Sequence, residues 1–211
     1  MTTKQHLKTV LFLVALAFGI SNASLAQDMA NSKKDKNKFK NSISFCPAAL
    51  AFGIYSVNYE YLLNKKHGLV ARFDYEAIPK TYTNTNIKSN GKAFIVNYRY
   101  HFSEQMKSFF VGAYGRYRIY NGTGVIEGNN TTENENFSFD MPDWTAGINA
   151  GKKWVWNSGF NITLSFGYGF SNESWNASSN ITSVDNAIKD FRKAYDFIDP
   201  FYGEFSIGYS F

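Results

Sequence analysis

From about residue 42 onward, apolar and polar residues alternate along most of the chain. Successive side chains of a β-strand point to opposite faces, so each alternating stretch makes one apolar and one polar face. The last stretch shows this most plainly. In Phe201–Phe211 the odd positions are Phe, Tyr, Gly or Ile, and the even ones include Glu204, Ser206, Gly208 and Ser210. Comparable stretches begin near residues 42, 53, 69, 92, 109, 143 and 160. Their apolar sets include Ile43 and Phe45; Tyr55, Val57, Tyr59 and Tyr61; and Phe94, Val96 and Tyr98. Eight segments of this kind predict an all-β fold.

The connections between segments alternate in length. Those at 64–68, 103–108 and 155–159 are short, and those at about 79–91, 121–142 and 172–199 are long. The first, near 48–52, breaks this rule by being short. A soluble sandwich has no reason to gather its tight turns at one end. Bacterial membrane barrels do, with short turns on one side of the bilayer and long loops on the other. The apolar faces carry no charge except Lys92 and Lys152, both near segment ends. A lysine or arginine facing lipid costs about 2–4 kcal/mol at mid-bilayer and little near the interface. Tyr61, Phe102, Phe109, Trp154, Phe160, Tyr209 and Phe211 fall near the turn end of their segments, and Tyr55, Tyr75, Ile119, Trp144, Phe170 and Phe201 near the loop end. Two such belts suit the two interfaces of a membrane. The expectation is an eight-stranded antiparallel up-and-down transmembrane β-barrel over 42–211.

Within the last long loop, Val184, Ala187, Ile188, Phe191, Ala194 and Tyr195 recur at helical spacing. A short amphipathic helix is expected at about 183–196, covering the barrel mouth. Asp199-Pro200 marks its end.

Once the aromatic faces point outward, the remaining charges converge on the lumen. They are Glu60, Arg72, Asp74, Glu76, Arg99, Arg116, Arg118 and Glu204, with His101 beside them. An eight-stranded barrel is only wide enough for side chains to fill. Charges held there need partners, and arginine pairs well with carboxylates. A lumen plugged by ion pairs is expected, with a narrow pore for ions or small solutes as the alternative.

The N-terminus adds an address. Lys4 and Lys8 precede an apolar run from Val10 to Ile20, and Ser24-Leu25-Ala26 supplies small residues for cleavage. Residues 1–26 are expected to be a signal peptide and 27–41 a Lys/Asn-rich linker. The formal charge of +5 arises in these two pieces, because residues 42–211 carry fifteen basic and fifteen acidic side chains. No nucleic-acid partner is expected. Aromatics reach 18%, and a single cysteine, Cys46, excludes an internal disulfide framework.

Further chemistry is sparse. Asp140 with Asp143, or Glu133 with Glu135, are the candidates for a loop calcium, but no metal or cofactor is expected. Gly122-Thr123-Gly124 is too short for a nucleotide loop. The frequent Asn-x-Ser/Thr triplets follow from Asn- and Thr-rich loops.

The signal-like N-terminus, Tyr59-Glu60-Tyr61, the repeated aromatic strands and the terminal Phe211 give residues 42–211 a resemblance to small eight-stranded outer-membrane barrels of the OmpA/OmpX type. The chain looks most like single-domain barrels of bacteroidete outer membranes. That resemblance implies an outer-membrane location with periplasmic termini, contact with outer-membrane lipids and lipopolysaccharide, and insertion by the barrel-assembly machinery. Tyr209 and Phe211 fit the machinery's recognition pattern, whereas Ser206 stands where the pattern has Gly. It implies a non-enzymatic role, structural or in surface interaction through 121–142 and 172–199. His101-Phe102-Ser103 also has the His-x-Ser spacing of the lipid A deacylase barrels, a hydrolase alternative. It falls at the turn end, away from the outer leaflet where such chemistry is expected.

Overall fold

The computed structural model describes residues 39–78, 86–103, 105–127, 134–179, 182–195 and 201–211. The expected signal peptide, most of the expected linker, Glu133 and Asp199-Pro200 lie outside the described residues.

Eight antiparallel strands close on themselves: β1 (Asn41–Phe45), β2 (Ile54–Leu62), β3 (His67–Ile78), β4 (Ile87–His101), β5 (Ser108–Ile126), β6 (Glu135–Val155), β7 (Phe160–Glu173) and β9 (Phe201–Ser210). Each pairs with its neighbour in sequence, and β9 closes the ring against β1, with Ile43 opposite Tyr209 and Phe45 opposite Ile207. A two-residue strand, β8 (Asn176–Ala177), is added to the upper edge of β6. The short helix α1 (Pro47–Leu50) follows β1, and α2 (Thr182–Tyr195) lies in the last long connection.

The barrel is apolar outside and polar inside. Ile43, Val57, Phe73, Phe94, Val111, Ile148, Phe166 and Phe170 are all exposed, whereas most of the charges and hydroxyls of the same strands are buried. Asn64 stabilises the first tight turn by accepting hydrogen bonds from the backbone N–H of Lys66 and His67. Gly159 turns the β7 hairpin in the left-handed region, at φ 94°, where other residues are strained. Lys152, the outward charge of β6, lies over the rings of Phe109 (4.6 Å) and Trp154 (5.0 Å). Its stem covers apolar surface while the ammonium stays at the barrel's end.

The strands differ from their predicted extents where the pattern changes phase. β5 runs to 126 and β6 starts at 135, so most of the expected loop 121–142 is a tall hairpin. β4 likewise begins at 87. Up to Ile119 the odd-numbered apolar residues of β5 (Phe109, Val111, Ala113, Tyr117) point outward, and Phe110 and Tyr114 fill the lumen. Beyond it Tyr120 is buried, and Asn121 and Thr123 face out. β6 repeats this, with Phe137, Phe139 and Met141 buried and Asn136, Ser138 and Asp140 exposed. The ribbon leaves one environment and enters another, where water is outside and the core is inside. Gly122 faces Phe139 and Gly124 faces Phe137 across the ladder, and a Cβ at either glycine would strike the opposite ring. These glycines make room for the aromatic rings, and they are what makes the segment resemble a loop.

α2 packs on this upper core. Val184, Ile188 and Phe191 form its buried stripe and meet Ile87, Tyr120, Phe137, Phe139 and Met141. Asp185 in its first turn and Arg192 and Lys193 in its last suit the helix dipole. Asp185 also accepts a hydrogen bond from Trp175 Nε1 at 3.3 Å.

β1 is shorter than expected, ending at Phe45 because Pro47 opens α1. The β9 residues before Ile207 therefore have no β1 partner. α1 sits in this seam, against both β2 and β9. Cys46 stitches it: its N–H donates to Ser56 O of β2 at 3.2 Å, and its Sγ donates to Phe205 O of β9 at 3.0 Å.

Candidate functional site in the barrel lumen

The lumen is filled in layers. At the turn end Leu62, Met106 and Val155 form an apolar floor, with Phe39 packed against it. Met106 also accepts a 3.6 Å contact from Ser210 Oγ. Above this floor lies the first ionic group. Glu60 binds Lys153 Nζ at 2.7 Å, Arg99 Nη1 at 3.2 Å and His101 Nε2 at 3.0 Å. Arg99 pairs a second carboxylate, Glu204, and its guanidinium lies 4.4 Å from the centre of the Phe110 ring. Glu204 is further held by Asn58 Nδ2, Tyr202 Oη and Ser206 Oγ.

Ala93, Ile95, Tyr114 and Tyr202 form a small apolar and aromatic cluster, in which Ile95 lies opposite Arg72 and Arg116, and Ala93 opposite Asp74 and Arg118, across the ladders. The second ionic group lies towards the loop end. Arg72 Nε donates to Asp74 Oδ1 at 2.7 Å. Asp143 takes Arg118 at 2.8 Å and Arg116 at 3.3 Å. Glu76 receives Tyr120 Oη at 2.5 Å, with Arg118 at 3.8 Å. Thr145 Oγ1 accepts from Arg116 at 2.7 Å. The α2 core closes the top.

Five acids (Glu60, Asp74, Glu76, Asp143, Glu204) and five strong bases (Arg72, Arg99, Arg116, Arg118, Lys153) are thus buried together. The charges balance, so desolvation is offset by pairing at short range. All eight side chains expected in the lumen network point inward. Two further members escape the sequence pattern. Lys153 is hidden behind Lys152, its outward neighbour, although its odd position shares the face of the buried Val155. Asp143 is a calcium candidate with Asp140 in the sequence, but residues three apart on a strand face opposite ways. Asp143 is buried against arginines, and Asp140 is exposed and bonded to Asn121. Glu135 accepts from Ser179 Oγ at 2.8 Å. Among the described residues no cluster of three or more metal-binding side chains forms.

His101 and Ser103 are not brought together as the deacylase spacing requires. Ser103 is exposed at the turn, and His101 is wholly buried. His101 bridges Glu60 and Ser108 instead, with Nδ1 2.9 Å from Ser108 Oγ. Its acid is already shared with Arg99 and Lys153, and the group is packed rather than open.

A family described as Protein of unknown function (DUF3575) matches residues 15–209. The chain belongs to this family. No curated protein matches it. Among solved structures it is similar to Acinetobacter baumannii CarO2, at 11% identity over 82% of this chain and 98% of that one, with a TM-score of 0.41. Similar too are Acinetobacter baumannii CarO (11%, 82% and 97%, TM-score 0.39) and a major outer membrane protein from Thermus thermophilus (11%, 82% and 98%, TM-score 0.40).

Proposed function

We propose that this member of the DUF3575 family is an integral outer-membrane barrel without catalytic activity, whose lumen is sealed and whose role is structural or in contacts at the cell surface. The observation that carries the reading is the pairing of an apolar exterior with a charge-balanced interior closed at both ends. The exterior is too large an apolar surface to leave in water, and a closed barrel is one of the two backbone forms that satisfy every amide in lipid. The interior leaves its ions partnered to one another, as a plug requires and a conducting path does not.

The N-terminal segment is proposed to be a cleaved export signal followed by the Lys/Asn-rich linker, with both barrel termini in the periplasm. The tall β5–β6 hairpin and α2 then stand outside the cell. Tyr209 and Phe211 face outward on the closing strand. They are proposed as the part of the chain that the barrel-assembly machinery recognises.

Three measurements test the reading. Purified protein should need detergent, migrate differently in gels before and after boiling, and give no channel events in planar bilayers. Solubility without detergent would overturn the membrane reading. Reproducible conductance would overturn the sealed lumen and favour the passive-pore alternative.

A further inference from the structure

The tall extension carries a second surface that the lumen does not explain. On its outer side, cross-strand neighbours fall into rows. Asn90 lies opposite Asn121, Asn121 opposite Asp140, and Asp140 opposite Asn176. The row above begins with Lys88 opposite Thr123 and Thr123 opposite Ser138, and Ser178 follows. Ser178 is tied to Ser138 by two hydrogen bonds, N–H to Ser138 O at 2.9 Å and Oγ from Ser138 N–H at 3.0 Å. Asn136 and Asn86 top the grid. All of these side chains are exposed.

This face is polar in every exposed side chain. Amides and hydroxyls dominate, and its two charges are opposite, Lys88 and Asp140. Asp140 is occupied by Asn121 Nδ2. Amides and hydroxyls offer donors and acceptors side by side, as a polyhydroxylated ligand requires. A cleft of about 540 Å³ opens on this face; Asn86, Lys88, Thr123, Asn136, Ser138 and Ser178 supply its polar lining, and Val125, Phe137 and Gly124 give it an apolar floor. That volume is within the usual range for small-ligand sites.

The height of the face names the ligand. The grid begins one row above Lys92, Ile119 and Pro142, which are mutually opposed in the ladder. Directly below stand the outward Phe94, Tyr117 and Trp144, with Tyr117 and Trp144 stacked at 4.4 Å. Those rings mark the interface of the apolar belt. Rows on one face recur every ~7 Å along a strand, so the grid spans the layer immediately above the lipid surface. We infer that this face binds the saccharide headgroup of a glycolipid anchored in the same leaflet. Lys92, at the boundary, is placed for an acidic group at the root of that saccharide. This inference rests on the membrane reading above, which places the grid at that height.

The test uses a probe that needs no bilayer, so the two readings fail separately. The full chain in detergent is titrated with the deacylated, water-soluble oligosaccharide of lipopolysaccharide, by calorimetry and saturation-transfer NMR. Dextran serves as a free neutral polysaccharide. Binding to the headgroup oligosaccharide is expected, and the triple variant Thr123→Ala, Asn136→Ala, Ser138→Ala should weaken it at least about tenfold, as loss of several hydrogen bonds implies. The changed residues all face water, and unchanged heat-modifiable mobility reports that the barrel is intact. No binding, or equal binding by the variant, overturns the site. Equal binding of dextran overturns the glycolipid assignment. Failure to require detergent would instead sink the membrane reading, whatever the sugar result.

Discussion

Arg72 of β3 donates from Nη1 to the carbonyl oxygen of Gly203 in β9, at 3.0 Å. The two strands are not neighbours. The contact exists because β1 stops at Phe45, leaving the upper part of β9 without a ladder on that side. One guanidinium serves a backbone carbonyl and, through Nε, the carboxylate of Asp74. Cys46 does the same for Phe205. Polar side chains thus repair a gap in the wall.

Arg72→Ala would strand the buried Asp74 and leave Gly203 O without its donor. Removing one partner of a buried pair costs about 3–5 kcal/mol. The expected result is a markedly lower urea midpoint for loss of the heat-modifiable form, with Arg72→Lys recovering part of it. An unchanged midpoint would mean that α1 alone closes the seam.

Glu60 joins Lys153, Arg99 and His101. Glu60→Leu and Lys153→Leu should each destabilise strongly, and the double variant should be less damaged than the two singles added together. A coupling above about 1 kcal/mol is expected for groups in direct contact. Strict additivity in a double-mutant cycle would show that Arg99 and His101 satisfy the carboxylate without Lys153.

The two halves of β5 and β6 respond oppositely to the same change. Ile148→Arg puts a charge on the outer face of the lower barrel, where Ile148 is 71% exposed, and should cost about 2–4 kcal/mol in a lipid-facing setting. Thr123→Arg, outward on the extension, should be close to neutral. Folding yields into lipid vesicles compare them, and equal penalties would contradict the proposed membrane boundary.

Gly122→Ala drives a methyl group into the Phe139 ring. Overpacking of this kind costs about 1–3 kcal/mol. The damage should stay local: trypsin should cut near Lys189, Arg192 or Lys193 of α2, while the barrel keeps its gel mobility. Phe191→Ala should do the same through a cavity.

Much of this molecule is legible in the sequence wherever alternation keeps one phase. In β2, β3 and β9 the same parity stays apolar from end to end, and both the outward faces and the inward charges follow from it. Legibility fails where the parity of the apolar set shifts. Around Ile119 and Tyr120 the shift, together with Gly122 and Gly124, imitates a polar loop. Only the partner strand shows that Phe137 and Phe139 fill the space those glycines leave. Lys153 is lost for a related reason, since two adjacent lysines at a strand end look alike until the register assigns one to each face. α2 is readable because its spacing is local, and its partners are not because they lie in three separate strands.

The β5–β6 ladder is unbroken from Ser108 opposite Lys153 to Ile126 opposite Glu135, nineteen residues of β5 in register. At ~3.4 Å per residue this is a ribbon of roughly 60 Å, and even at a tilt of ~40° it outreaches an apolar band of ~25 Å by a wide margin. It is braced by β4 as far as Ile87 opposite Gly124 and by β8 at Phe139 and Asp140, and a ladder so flanked bends little along its length. It stands as a mast rather than a tether, stepped in the barrel just above the Arg116–Asp143 pair of the lumen.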